Sequence, residues 1–295
     1  MKRLGLVLPL LAMAVLAQSR DGGRGPVVTV ATGLSRPSSA LYDAETDTYL
    51  VSNVGGEAGL KDNDGFITEL SPDGAVVNAR LVAGGSKGVT LNAPKGLAIH
   101  GGVLYVADID TVRMFDRATG ASRGEVKVVG STFVDALALG PDGRIYLTDS
   151  GLGPKLEGTG TDGVYVIEPG VKPTLKTLLK ARALKGPSGL VATHDSLYVV
   201  TLGAAELITL DLKGNAKGPR TELPKGVLHG VVMVGDELVI SSWEGGALYR
   251  GKPGGPFRAI ATGLSGPADL GHDVRRHRVL VPCSTADRFE AWELE

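Results

Sequence analysis

The chain has 295 residues, a formal net charge of −1 and 21% charged residues, with 43 glycines. No basic face or long charge run is visible, so we expect no nucleic-acid partner. The single cysteine, Cys283, excludes an internal disulfide. It stands at the end of an apolar run, and we interpret it as a small buried residue rather than a reactive thiol.

The N-terminus has the pattern of a signal peptide. The basic pair Lys2 and Arg3 precedes an apolar run from Leu4 to Leu16, and Ala17 offers a small residue for cleavage. The run is too short for a comfortable membrane span. We therefore expect residues 1–17 to be removed, leaving an exported protein, periplasmic or secreted, that has no membrane association after cleavage.

One sequence phrase recurs six times after this segment. An apolar strand follows a small-residue turn, and a tight polar turn leads to a second strand that ends in a small or acidic residue. The clearest copy runs from Pro94 to Asp108. Positions matched across the copies are 57, 39, 54, 41 and 39 residues apart. They are Ser38, Lys95, Val134, Ser188, His229 and Ala268. A period near forty with several short strands per unit predicts a β-propeller.

The predicted fold is all-β, a six-bladed β-propeller in one domain over residues 18–295. The sixth unit has only three strands before the chain stops at Glu295. We expect residues 27–31 to supply its fourth strand, because that pairing closes the ring and removes the open sheet edges. Residues 172–184 show some helical periodicity, but their place in the third unit favours a strand. Two Gly/Asp-rich inserts, after Asn53 and after Asp149, are expected as loops on one face.

The turns that precede the innermost strands are expected to lie nearest the propeller axis. Together they predict a candidate site at one mouth of the central channel. Lys95 and His229 belong to opposite blades, whereas Asp135 is expected near Lys95 and Asp269 near His229. A histidine oriented by an aspartate is a candidate general base, and a lysine can stabilise an anion. These four residues are our catalytic candidates. The alternative is that they only satisfy one another and buried backbone amides.

Five other residues are binding candidates. Ser38 and Ser188 belong to the same ring of turns. Asp108 and Asp149 end second strands, where they either cap turns or reach the channel. Trp243 follows a second strand and lies either at the ligand mouth or in the core. Residues 62–65 (Asp-Asn-Asp-Gly) resemble the start of a calcium loop but lack the later acidic ligand at the spacing of an EF-hand.

The repeat pattern, with residues 92–98 and 104–110 as its clearest phrases, resembles the gluconolactonase and regucalcin (senescence marker protein) propellers, in particular exported bacterial relatives. The resemblance implies an axial divalent cation, often calcium, held by Glu, Asn and Asp of the first, fourth and fifth units, with an Asn of the third touching metal or substrate. Strand alignment assigns these roles to Ser38, Ser188, His229 and Val134. None of the four matches, so the inherited site is dismantled or rebuilt.

Three hypotheses about function remain open. The first is hydrolysis of a lactone or related ester at an altered axial site, which the resemblance implies. The second is a non-catalytic propeller that binds a small molecule or a protein at the channel mouth. The third is a metal-free enzyme of another class, because a fold does not determine its chemistry. We expect a monomer in each case.

Overall fold

The structure, a computed structural model, describes residues 25–86, 88–224 and 226–294. These residues form six antiparallel sheets of four strands each. The inner strand of every sheet packs beside the inner strands of two others, so the sheets form a closed ring around an axis. The all-β, six-bladed propeller predicted from the repeats is confirmed. In the part of the chain described, no helix is long and apolar enough to cross a membrane.

The strands follow one another from the axis outward in each blade. Blades 1 to 3 contain β2 (Pro37–Asp43), β3 (Thr48–Asn53), β4 (Phe66–Leu70) and β5 (Val76–Ala83); β6 (Pro94–His100), β7 (Val103–Asp108), β8 (Thr111–Asp116) and β9 (Ser122–Lys127); and β10 (Val134–Leu139), β11 (Ile145–Asp149), β12 (Gly163–Glu168) and β13 (Thr174–Lys180). Blades 4 to 6 contain β14 (Pro187–Ala192), β15 (Leu197–Thr201), β16 (Glu206–Leu210) and β17 (Thr221–Glu222); β18 (Leu228–Val234), β19 (Glu237–Ser242), β20 (Ala247–Gly251) and β21 (Arg258–Thr262); and β22 (Gly271–Asp273), β23 (Arg278–Cys283), β24 (Arg288–Glu293) and β1 (Val28–Val30).

The hydrophobic core lies between neighbouring blades. Leu50 and Ile67 of blade 1, for example, pack in one cluster with Leu97 and Phe115 of blade 2. Similar clusters occupy the other boundaries between blades. A blade therefore buries its apolar faces only against its neighbours, which makes the closed ring the stable unit.

The first strand closes the ring, as predicted. Val28 of β1 pairs with Ala291 of β24, and Val30 pairs with Phe289. A polar clamp joins blade 6 to blade 1 on the opposite face from the channel mouth. The guanidinium of Arg276 donates two hydrogen bonds of 2.7 Å to the carboxylate of Asp47 in blade 1. Bidentate Arg–carboxylate pairs are directional, so the clamp also sets the angle between blades 6 and 1.

Other local predictions have clear outcomes. Residues 172–184 contain strand β13 and a short 3-10 turn, Arg182–Leu184, so the strand interpretation is confirmed. Cys283 is fully buried at the end of β23. The predicted signal peptide lies outside the described residues.

Removing the closing strand tests the closure. We expect deletion of residues 1–31 to lower the melting temperature of the whole domain, because the deletion exposes the edge of β24 and the core faces of Phe289 and Ala291. Deletion of residues 1–24, which keeps β1, is the matched control and should leave the melting temperature unchanged. Equal thermal unfolding of the two truncated proteins by calorimetry would contradict closure by β1.

Candidate functional site

The inner strands carry two successive residues at the same mouth of the channel. The ladder pairs Pro94 with Asp108 in blade 2 and Val134 with Asp149 in blade 3. Asp135, rather than Val134, is therefore the counterpart of Lys95, which corrects the sequence alignment by one residue. The first ring is Ser38, Lys95, Asp135, Ser188, His229 and Ala268. The second ring is Ser39, Gly96, Ala136, Gly189, Gly230 and Asp269.

A break in the ladder register occurs where these rings lie. In blade 2 it falls between Pro94 and Leu97, and blades 1, 3, 4 and 5 have the same irregularity. Hydroxyls of the second strands satisfy several of the freed amides: Ser52 accepts from the N–H of Ser39 at 2.9 Å, and Ser241 accepts from that of Gly230 at 2.8 Å. Bulges of this kind redirect side chains, and they occur often beside functional sites.

The second ring is crowded, and two of its members differ from the rest. A Cβ on Gly96 would lie 2.4 Å from the backbone nitrogen of Leu137, and one on Gly230 would lie 2.4 Å from that of Leu270. Blades 1 and 6 instead carry the polar side chains of Ser39 and Asp269. These two residues form a parallel bridge across the boundary between blades 6 and 1, which brings their polar side chains together at this one place in the ring.

Asp269 is buried in this pair. The hydroxyl of Ser39 donates to its Oδ2 at 2.7 Å, and its own backbone N–H donates to the carbonyl of Ser38 at 2.9 Å. Burial raises the pKa of Asp269 to about 7, the hydrogen bond from Ser39 opposes the rise, and the negative charge of Asp135 adds to it. The carboxyl group can therefore hold or release a proton near neutral pH.

Asp135 points toward blade 4. It accepts a hydrogen bond of 2.6 Å from the hydroxyl of Ser150, which also lies 2.9 Å from the carbonyl oxygen of Pro187. Asp135 is buried, and its charge affects the pKa values of both Lys95 and Asp269. It is thus the central negative group of the first ring.

Lys95 does not form the predicted ion pair with Asp135. It is only 3% exposed, and its Nζ donates to the carbonyl oxygens of Ala58 and Ala93 at 3.1 and 3.0 Å. The same Nζ lies 4.1 Å from the ring centroid of Phe133, a cation–π contact. Burial lowers the pKa of Lys95 to about 8, and the nearby carboxylates of Asp135 and Asp108 oppose that shift. Lys95 therefore fastens the first insert to blade 2 instead of facing a ligand.

His229 is also unpaired with its predicted partner. No hydrogen bond or ion pair joins it to Asp269 within the described residues, because the Asp269 side chain is turned toward Ser39 in blade 1. The Nδ1 atom of His229 is buried and has no hydrogen-bond partner there. The imidazole thus lies on the ring without its predicted partner, next to the blade that carries Asp269.

The residues predicted as binding candidates have different structural roles. Ser188 is buried and donates to the carbonyl of Leu228 at 2.8 Å, which ties blade 4 to blade 5. Asp108 and Asp149 cap backbone turns: Asp108 accepts from the N–H of Ala93, and Asp149 from that of Phe133, both at 2.9 Å. Trp243 is 41% exposed at the mouth face, where its Nε1 donates to Ser284 at 2.9 Å.

The axial donors do not fit a divalent cation. Among the described residues no group of three His, Cys, Asp or Glu side chains is placed to hold a metal. The hydroxyl of Ser188 faces backbone carbonyls, and the buried ammonium of Lys95 adds positive charge near Asp135. Calcium requires six to eight oxygen ligands, carboxylates prominent among them. In residues 62–65, Asn63 accepts from the N–H of Leu91 at 2.8 Å, as expected for a polar turn.

Two features of the site were missed by the sequence analysis. The first is the Ser39–Asp269 pair, whose only signal is a polar side chain where most repeats have glycine or alanine. The second is that the two long inserts meet over the mouth face. A Cβ on Gly59 of the first insert would lie 2.6 Å from the Cα of Pro154 in the second.

Solved structures with the same fold include several enzymes. A gluconolactonase from Xanthomonas campestris superposes with a TM-score of 0.68 at 18% identity, covering 89% of this chain and 87% of its own. A putative gluconolactonase gives 0.64 at 17% identity, with coverage of 90% and 91%. Virginiamycin B lyase from Staphylococcus aureus gives 0.60 at 13% identity, with coverage of 90% and 98%. These similarities establish a gluconolactonase-like six-bladed propeller fold. No family model matches the chain, and no curated protein matches it.

The burial of Asp269 predicts a pH-dependent stability. Its pKa is raised from 3.8 to about 7 on folding, so its stabilising contribution is complete below about pH 4 and is lost as the pH rises through 7. Between pH 4 and pH 8 the unfolding free energy of the wild type should therefore fall relative to that of Asp269→Asn, by up to about 4 kcal/mol. Denaturant unfolding at both pH values measures this.

The control for this measurement is Asp236→Asn, which removes an exposed carboxylate paired with Lys252 at 2.6 Å. Exposed pairs of this kind contribute about 0–1 kcal/mol, so this variant should follow the wild type at both pH values. A constant difference between Asp269→Asn and the wild type across the pH range would contradict the assignment of a buried, proton-binding carboxyl group.

Proposed function

We propose that this chain is an exported hydrolase of a lactone or related ester that acts at the axial channel mouth without a divalent cation. The observation that supports this most strongly is the Ser39–Asp269 pair. A buried carboxyl group with a pKa of about 7 is matched to general-base catalysis at neutral pH. It occupies a ring position where four of the six blades have only glycine or alanine.

In the proposed reaction Asp269 takes a proton from a water molecule whose oxygen adds to the carbonyl carbon of the ester. The bond between that carbon and the ring oxygen then breaks, and the ring oxygen receives the proton as an alcohol. One water is consumed and no redox partner is needed. Ser39 holds Asp269 in position through its hydrogen bond of 2.7 Å. His229 lies on the first ring in the neighbouring blade 5 and is the group we propose to hydrogen-bond the leaving oxygen.

The structural neighbours support the proposal at the level of the scaffold. A gluconolactonase and a streptogramin B lyase share this fold, and a lyase variant in which a histidine is replaced by alanine is described as catalytically inactive. Enzymes of this fold therefore include one that depends on a histidine.

A second candidate is a non-catalytic propeller that binds a small molecule or a protein at the same mouth. The observation that favours it is the internal use of Lys95 and Ser188, which donate to backbone carbonyls. With these side chains engaged, the mouth has fewer groups to stabilise a developing negative charge. The contact between the inserts at Gly59 and Pro154 also covers part of this face.

An assay with a panel of aldonolactones and aryl esters separates the two candidate functions. Hydrolysis is measured as proton release, with and without EDTA. We expect turnover that EDTA does not change, with kcat rising through about pH 7 as Asp269 ionises. Asp269→Asn should lower kcat by about 100-fold or more, whereas the control Asp236→Asn should keep full activity. Absence of turnover for every substrate, or loss of activity with EDTA, would refute the proposed hydrolase.

Export is tested separately. We expect intact-mass measurement of protein from the native cell to show a mature chain that begins at or near Gln18, because Ala17 ends the predicted cleavage motif. The protein should be found in the periplasmic or extracellular fraction. A chain in the cytoplasmic fraction that still carries residues 1–17 would contradict the proposal.

A further inference from the structure

Blade 3 contains a buried carboxylate oxygen without a partner. Asp149 ends β11 and is 0% exposed. Its Oδ1 accepts from the backbone N–H groups of Phe133 and Gly151 at 2.9 and 3.1 Å. Its Oδ2 has no hydrogen-bond partner among the described residues, and neither does the buried hydroxyl of Tyr165. Leaving such groups unpaired in a dry interior costs about 1–3 kcal/mol each, and more for a charged group.

The two unpaired groups lie on the same face of the blade. Asp149 pairs with Gly163 across β11 and β12, and Tyr165 lies two residues further along β12 on the same face. Gly163 makes room for the phenol, since a Cβ there would lie 2.6–2.8 Å from the ring and hydroxyl of Tyr165. Burial raises the pKa of Tyr165 to about 12, with a further contribution from the charge of Asp149. The phenol oxygen therefore lies near the carboxylate.

In the two preceding blades, the side chain at the position of Asp149 has a side-chain hydrogen-bond partner. In blade 2, Asp108 ends β7, and Arg113 holds the place that Tyr165 has in blade 3. The Nε of Arg113 donates to Asp108 at 3.0 Å. In blade 1 the corresponding pair is neutral, Asn53 with Thr68 at 3.1 Å. Blade 3 thus retains the acid of blade 2 but replaces its cationic partner with a neutral phenol.

No side chain of the described residues supplies the missing positive charge. Lys180 is the nearest candidate by register, because it stands opposite Gly163 in β13. Its Nζ instead donates to the carbonyl of Gly130 at 3.0 Å, at the surface. Asp149 therefore has oxygen atoms and backbone amides around it but no ammonium or guanidinium.

A group of three threonine hydroxyls adds further oxygen donors. Thr132 lies 2.7 Å from Thr159 and 2.9 Å from Thr161, and the last two are 3.1 Å apart, measured between their Oγ1 atoms. Burial raises the pKa of Asp149, while the hydroxyl of Thr161 is close enough to oppose that rise. Oxygen donors of this kind suit hard cations.

We propose that blade 3 binds a monovalent alkali cation, Na⁺ or K⁺, between Asp149 Oδ2, the hydroxyl of Tyr165 and the hydroxyl of Thr161. The ion takes the place that the guanidinium of Arg113 has in blade 2. A single carboxylate balances one positive charge, whereas calcium sites normally use several carboxylates. The ion would also steady the axial site, because Ser150, the next residue after Asp149, donates to Asp135 at 2.6 Å.

The test compares melting temperatures in NaCl, in KCl and in N-methylglucamine chloride at the same ionic strength. A bound alkali ion should raise the melting temperature of the wild type by roughly 2–4 °C over the bulky organic cation. Tyr165→Arg supplies the guanidinium of blade 2 and should abolish the difference. Asp149→Asn keeps the oxygen that caps Phe133 and removes the charge, so it should abolish the difference too. The control Asp195→Asn, at an exposed ion pair with Lys217, should keep it.

Several results would overturn the proposal. Equal melting temperatures of the wild type in the three salts would mean that a water or a proton satisfies Asp149. A salt preference that persists in both Tyr165→Arg and Asp149→Asn would place the ion elsewhere, and stabilisation by added CaCl₂ alone would exclude a monovalent ion. If Tyr165→Arg fails to fold, Asp149→Asn decides the question. The readout is stability, so the result does not depend on the proposed hydrolase activity.

Discussion

The close approach of six inner strands at the axis determines how the blades pack and which side chains can line the channel mouth. Gly96 and Gly230 have backbone atoms of the next blade 2.4 Å from where a Cβ would be. Such spacing lets the blades bury their apolar faces against one another, as Leu50 does with Phe115. It also means that any larger side chain in the second ring must be accommodated by a local change. Ser39 and Asp269 are accommodated in this way, at the boundary where the ring closes.

The same crowding explains the electrostatics of the mouth. Burial acts on Asp269 and Lys95 in opposite directions, raising one pKa to about 7 and lowering the other to about 8. Both shifts bring the proton equilibria close to neutral pH, since desolvation disfavours whichever form carries charge. Asp135 lies within electrostatic reach of both groups and couples them. A proton gained or lost at Asp269 therefore changes the electrostatic environment of Asp135 in the first ring.

The sequence predicted the architecture well because repeats, turn residues and apolar alternation are local. Six units, closure by β1 and the burial of Cys283 all follow from such patterns. The partners of the axial side chains were predicted poorly, because those depend on loops. The carbonyl of Ala58, in an insert, holds Lys95, and the side chain of Asp269 turns to Ser39 across a blade boundary. Neither the path of an insert nor a contact between side chains of two blades is encoded in strand periodicity.

A repeat protein offers an internal comparison that a single sequence does not. Where blades share a position, the common residue type reflects what packing requires, and a departure needs its own physical reason. Glycine in the second ring is explained by backbone contact, so Asp269 requires another explanation. Arginine beside Asp108 is explained by charge, so the neutral Tyr165 beside Asp149 requires one as well. Both departures leave a buried carboxylate whose charge the protein does not cancel with a contacting cationic side chain among the described residues. In a low-dielectric interior such a carboxyl group is tolerated only if it binds a proton or a ligand.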